Sequence, residues 1–246
     1  AVLGTSNLSP SLHTGEISPR QIWHQTIQKL GWTGQTEAFL KEIVWREFAY
    51  HVFYYLPDLP HKPMNQKFAD FPWADDADGL KAWQKGMTGY PMEDAGMREM
   101  WQTGHMHNRV RMIVGSFLVK HLLLPWQDGE AWFWDTLVDA DLAVNAFSWQ
   151  WIGGCGADAA PYFRIFNPIT QGDKFDGDGE YVRKYLRDLA GFPNKYLFSP
   201  WEAPSDVFTD ADIELGKTYP DPLVAHKASR ERALEAFKSL PKADAG

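Results

Sequence analysis

Apolar positions recur along this chain with the period of a helix nearly throughout. Ser18, Pro19 and Gln21 read as an N-cap, a proline at the first helical position and a capping-box partner, and Ile22, Trp23, Ile27 and Leu30 then repeat before Gly31. Phe39, Ile43, Phe48 and Val52 predict a second helix over 35–56, ended by Pro57. A third is expected over 92–102, closed by Gly104. The strongest signal spans 108–124, where Val110, Ile113, Val114, Phe117, Leu118, His121 and Leu122 mark one face. Further helices are predicted over 129–137, 139–152, 179–189 and 226–240. Pro- and Asp-rich stretches at 57–78, 161–178 and 192–222 read as long ordered loops. No alternating strand of useful length, no repeat and no low-complexity linker interrupts them. The pattern predicts an all-α chain forming one multi-helical domain over 1–246.

Composition narrows the function. At 246 residues and 44 % hydrophobic content the chain can bury an ample core. No apolar run nears the ~18 residues of a membrane helix, and AVLGTSNLSP lacks a signal peptide's basic-then-apolar order, so no membrane partner is expected. A lone cysteine, Cys155, rules out an internal disulfide and fits a reducing, cytoplasmic setting. After two glycines it is expected as a small packing residue rather than a reactive thiol. The formal net charge of −8 opposes non-specific attraction to nucleic acid, so any such binding needs a local basic patch. The heavy aromatic load, with 12 Trp, 15 Phe and 9 Tyr, supplies flat, polarisable, oxidisable side chains. Neither a strand-linked G-x-G-x-x-G nor a Walker loop is present, so a nucleotide cofactor would be held by other means.

Four constellations stand out. In VDADLAVNAFSWQWIGG, a helix over 139–152 would put Asp141, Asn145 and Trp149 on one face at i, i+4 and i+8, with Trp151 about 200° around from Trp149. A carboxylate, an amide and an indole in line suit the polar edge of a redox-active heterocycle. They equally suit a core helix with satisfied polar residues. In GHMHNRVRM, Asn108 and Met112 are i, i+4, Arg109 and Arg111 flank them, and Gly115 one turn on would admit a close backbone approach. His105 and His107 diverge at i, i+2, and with no HExxH or cysteine cluster no metal is expected. In KEIVWREF, Glu42, Trp45, Arg46 and Ala49 cluster by helical spacing, as a flat hydrogen-bonding ligand or an ordinary intrahelical ion pair would each require. In TSNLSPSLHTGEISPR, closely spaced hydroxyls and backbone N–H groups before helices suit a phosphate.

Together these segments, with TGYPMEDAGMREMWQTGHMHNRVRM, SFLVKHLLLPWQDGEAWFWDTLVDADL and SWQWIGGCGADAAPYFRIFNPITQGDKFD, resemble the FAD-binding helical domain of the DNA photolyase/cryptochrome family over nearly the whole chain. Within it the pattern is most like class I enzymes that repair cyclobutane pyrimidine dimers. The resemblance implies light-driven electron transfer from reduced FAD to a dimer in UV-damaged DNA, which splits and returns the electron. It implies that Thr5, Ser6, Asn7, Leu8 and Ser9 cradle the FAD phosphates, with Phe39 near the adenine. Asp139, Ala140 and Asp141 would hold the ribityl and isoalloxazine portions, Asn145 would face flavin N5, and Arg111 would pair with Asp139. Arg46 and Asn108 would touch both cofactor and lesion. Trp149, Trp126 and Trp73 would carry electrons from the surface. On the substrate side, Trp45 and Trp151 would stack on the flipped-out dimer. Glu42 would hydrogen-bond its base edges, and Met112 would line the pocket. Gln171, Arg109, Arg164 and Lys174 would meet the DNA backbone.

Some residues depart from the family pattern. His105 stands where the family usually has Trp or Tyr, Asn7 replaces a frequent basic residue, and Phe39 replaces a Trp. The chain begins without Met just before the TS-LS segment, so an N-terminal α/β antenna domain is expected to be a missing partner. A cryptochrome-like blue-light photoreceptor is the main alternative. Plant-type members usually carry Asp at the Asn145 position and often lose the second Trp of the triplet, and both are intact here. Repair of (6-4) photoproducts usually needs paired histidines where this chain has His107-Asn108. A flavin-free helical relic is the third alternative.

Overall fold

The computed structural model describes residues 4–157 and 164–241, and the described residues contain helices and turns but no strand. The all-α expectation holds. The helices in chain order are α1 (Ser9–Thr14), α2 (Pro19–Leu30), α3 (Gly34–Tyr55), α4 (Ala77–Gln84), α5 (Pro91–Thr103) and α6 (Asn108–Ser116). A π-helical segment, Phe117–Leu122, follows α6 directly. Then come α7 (Trp126–Thr136), α8 (Leu142–Gly153), α9 (Pro168–Phe175), α10 (Glu180–Tyr185), α11 (Ser205–Asp210) and α12 (His226–Lys238).

Local chemistry sets these boundaries. The Ser18 side chain accepts the Gln21 N–H while Gln21 reaches back, completing the capping box that starts α2. The segment expected as one helix over 108–124 changes pitch after Ser116 and ends at Leu123, whose φ of 57° is left-handed. Lys120 and His121 are both buried on this π turn; periodicity had placed His121 on the inward face but not Lys120. Helices α1, α4, α9 and α11 formed where loops or no element were expected. Each is at most eight residues long, too short for a hydrophobic period to register. Two of the four carry caps that were written in the sequence: Asp76 accepts the Gly79 N–H at α4, and Asn167 precedes Pro168 at α9.

Helix α8 is the axis of the site. Its buried residues, among them Ala143, Asn145, Ala146, Trp149, Gln150 and Ile152, cover more than half of its circumference, which sets the helix deep in the core. It packs against α3, α6 and α7. The main core runs from Trp83, Met97 and Val114 to Trp126, Phe133 and Trp149. Gly129 on α7 is a packing requirement, because a methyl group there would fall inside the Trp149 ring. Cys155 is fully buried, and burial pushes its thiol up to about 12, so it packs rather than reacts.

Candidate functional site

A cavity of about 450 Å³ opens between α3, α6, α7 and α8, within the range of small-molecule sites. Helix α3 contributes Glu42, Trp45, Arg46 and Ala49, and α6 contributes Asn108, Arg111, Met112 and Gly115. The turn before α8 brings Asp139, Ala140 and Asp141 to one wall. Asn145, Trp149 and Trp151 reach the cavity from α8 itself. Three segments far apart in sequence thus converge on one space. The ordinary Glu42–Arg46 ion pair is not what holds α3 here: Arg46 bonds Glu47 at 2.8 Å and the Leu12 carbonyl at 3.3 Å.

The helix expected to begin at 139 begins at Leu142. Asp141 is its N-cap, and Oδ1 accepts the Val144 N–H at 3.1 Å, which holds the backbone extended there. Asp139 and Ala140 therefore lie in the preceding turn rather than on the helix face, while Asn145 and Trp149 share that face as expected. The Asn145 amide is fixed by donation to the Glu130 carbonyl on α7 at 2.9 Å. Glu130 itself is buried, and that burial pushes its carboxyl up to about 7.

The two aspartates have different partners. Arg111 Nη2 reaches Asp139 Oδ1 and Oδ2 at 3.0 and 2.9 Å, and Arg111 Nε donates to the Met106 carbonyl at 2.7 Å. Burial works to raise the Asp139 pKa, but the Arg111 guanidinium and a hydrogen bond with Ser9 outweigh it, and the carboxyl sits below its usual range. Asp141 instead accepts the Tyr50 hydroxyl, with Arg46 Nη2 at 3.6 Å and His13 Nδ1 at 3.5 Å. Phe133, Leu137 and Ile152 add apolar lining to the same cavity. The donor set fits a flat heterocycle with one polar edge. At the rim, Trp45 is half-exposed and packs edge-on to Phe48 at 5.8 Å, and Phe48 in turn meets Phe147 at 5.6 Å.

Other residues singled out from sequence lie outside the cavity. Thr5, Ser6 and Asn7 are exposed on the segment leading into α1. Leu8 caps α1, and Ser9 ties the segment to the cavity through Asp139. Phe39 packs with Leu12, Ile22 and Ile43 in a satellite core under α1–α3. Trp126 is buried beside Gly153, whereas Trp73 is half-buried against Phe71. Arg109 stacks its guanidinium over Phe175 at 4.6 Å, with the Lys174 ammonium 5.3 Å from the same ring. Gln171 lies on α9 beside them, and Arg164 is exposed. Among the described residues, no group of three or more His, Cys, Asp or Glu is placed to hold a metal ion, and no helix is long and apolar enough to cross a membrane.

Sequence reasoning missed Tyr50 and His13, the two further partners of Asp141. Tyr50 stands one turn beyond Arg46, a spacing that was there to be read. His13 carried no periodic signal. It also missed Phe133, Leu137, Val144, Phe147, Ser148 and Ile152, because apolar cavity walls and core residues share one pattern.

Comparison with known proteins agrees with this geometry. Residues 39–239 match the family model of the FAD binding domain of DNA photolyase. A deoxyribodipyrimidine photo-lyase of Agrobacterium fabrum is 56 % identical over 97 % of this chain and 50 % of its own length. Cryptochrome-1 of Arabidopsis thaliana is 43 % identical over 96 % of this chain and 36 % of its own length. The crystal structure of a bacterial class III photolyase from Agrobacterium tumefaciens superposes with a TM-score of 0.93 at 56 % identity, over 97 % of this chain and 50 % of that one. The chain spans about half the length of the curated relatives it matches most strongly. It belongs to the FAD-binding domain family of DNA photolyases and cryptochromes, whose cofactor is FAD.

Proposed function

We propose that this chain is the cofactor- and lesion-binding part of an enzyme that repairs UV-damaged DNA with light, splitting cyclobutane pyrimidine dimers. The observation that carries the reading is the cavity itself. It joins a buried polar edge, made by Asp141, Asn145 and the Arg111–Asp139 pair, to an aromatic rim that contains Trp45 and Trp151. When bound, FAD supplies light absorption and one-electron transfer. Asp141 and Asn145 hold the polar edge of the ring, and the tie to Glu130 keeps the Asn145 amide plane fixed. Arg111 neutralises Asp139 beside it, and Ser9 links this pair to the exposed Thr5–Ser9 segment that takes the phosphates. Phe133, Leu137 and Ile152, which line the same cavity, exclude water from the ring. At the mouth, Trp45 and Trp151 stack on the extruded dimer, Glu42 hydrogen-bonds its base edges, and Asn108 and Met112 complete the wall. Trp149, Trp126 and Trp73 run from the cavity toward the surface as electron donors. The likeness to a class III enzyme at 56 % identity favours that subclass over class I.

The 43 % identity to a cryptochrome favours a second reading, a blue-light photoreceptor without repair. One experiment separates them. The purified chain is loaded with FAD, reduced, and illuminated with an oligonucleotide carrying a thymine dimer. Repair that needs light is expected. Bound flavin that photoreduces without repairing any dimer would favour the photoreceptor, and failure to bind FAD would defeat both readings.

A further inference from the structure

His13 belongs to none of the roles above, yet it touches a carboxylate that lines the site. It lies near the end of α1 with its side chain 39 % exposed, and its Nδ1 is 3.5 Å from Oδ2 of Asp141, whose own side chain is only 7 % exposed. The imidazole thus spans the distance from solvent to a buried carboxylate that lines the cavity. We infer that His13 sets the charge felt at the Asp141 wall, so that protonation of its imidazole raises the reduction potential of bound FAD. The inference rests on the cavity being the FAD site.

The other groups around Asp141 come from α3 and from the adjacent turn. Arg46 Nη2, 3.6 Å away on α3, belongs to a guanidinium that stays protonated. Glu47 is joined to Arg46 at 2.8 Å. Burial first, and the hydrogen bond to Asp141 second, push the Tyr50 pKa up, so its hydroxyl keeps its proton. On the adjacent turn Asp139 is paired with Arg111, and a second imidazole, His105, acts on Asp139. Among the groups in contact with Asp141, His13 is the imidazole, which carries a charge only when it is protonated. With a neutral ring, the cation beside the carboxylate is Arg46, which is shared with Glu47. With a protonated ring, the wall gains a positive charge beside a heterocycle that becomes more negative on reduction, which favours the reduced state. Because His13 does not line the cavity, it is a positioning residue acting through Asp141.

The test follows the midpoint potential of the FAD-loaded chain by spectroelectrochemistry from pH 5 to 8, in wild type, His13→Gln and His13→Lys. The wild type is expected to track the Lys variant at the acid end and the Gln variant at the alkaline end. His105 is present in all three proteins and cancels in the comparison. A wild-type-minus-Gln difference that stays flat across the range, with FAD bound, overturns this inference and leaves the proposed function standing. Loss of FAD binding by the wild type overturns both. A second readout needs no cofactor: the ring-nitrogen NMR signals of His13 should move in Asp141→Asn, a substitution that keeps a helix-capping side chain. Unchanged ring signals would remove the contact on which the inference stands.

Discussion

At the scale of single residues, the site depends on how closely Trp149 is held. Gly129 gives that ring its place, so Gly129→Ala should cost about 1–3 kcal/mol through overpacking. Because Trp149 lines the cavity, the same change should weaken FAD retention. Denaturant unfolding and cofactor titration on one protein sample read the two effects. Stability lost with unchanged FAD affinity would mean that the ring moves away from the cavity rather than into it. Trp151 tests the opposite end. It is half-buried at the same cavity and is proposed to stack on the lesion, a contact worth ~1–3 kcal/mol per base. Trp151→Ala should therefore lower affinity for dimer-containing DNA by about tenfold or more while FAD retention changes little. Equal lesion preference in variant and wild type would remove Trp151 from the substrate side.

At the scale of elements, the hydrogen bond from Asn145 on α8 to the Glu130 carbonyl joins the two helices that frame the cavity. The Glu130 side chain brings a cost to that junction, because burial raises its pKa to about 7 while an unfolded glutamate titrates near ~4.3. A raised folded-state pKa means that the folded protein binds the proton more tightly. The associated stability is fully present below the unfolded value and is lost as pH rises through about 7. Glu130→Gln should therefore gain on wild type between about pH 4 and 7, by roughly 1–2 kcal/mol after allowing for the carboxyl's residual solvent contact. Urea melts at several pH values check this, and parallel stability curves would show that the carboxyl ionises without penalty. The backbone half of the junction could not be read from sequence, since a carbonyl acceptor leaves no residue-type signal. What could be read was the side-chain half. Asn145 and Trp149 were placed on one face by spacing alone, and Ser18 and Gln21 announced their cap. Asp141 shows the limit of that method: helical periodicity extends through an N-cap, so the residue was assigned to the helix although its carboxylate starts it. The π turn after Ser116 is a second limit, because a six-residue segment is too short for its wider period to be told from a helical one.

At the scale of the whole molecule, a formal net charge of −8 must coexist with the proposed DNA binding. The cationic ridge around Phe175 offers a solution, since Arg109 and Lys174 both lie over that ring and are presented together at one end of α6 and α9. Arg164 adds a further exposed cation in the same stretch of sequence. This local patch would meet phosphate, while the negative net charge of the chain opposes further contacts. Each neutralised phosphate contributes about −0.9 to the slope of log affinity against log salt on duplex DNA. A patch of this size predicts a shallow slope, and Arg109→Ala should make it shallower by about 1. Because phosphate contacts carry no sequence or lesion information, the same variant should weaken binding to dimer-containing and intact DNA by similar factors. Trp151→Ala should instead shrink the difference between the two DNAs and leave the salt slope alone. Measuring both variants over a salt series separates the electrostatic approach from recognition of the lesion. A slope unmoved by Arg109→Ala would mean that the DNA backbone crosses the protein elsewhere, and that the Phe175 ridge holds α9 onto α6 rather than DNA onto the site.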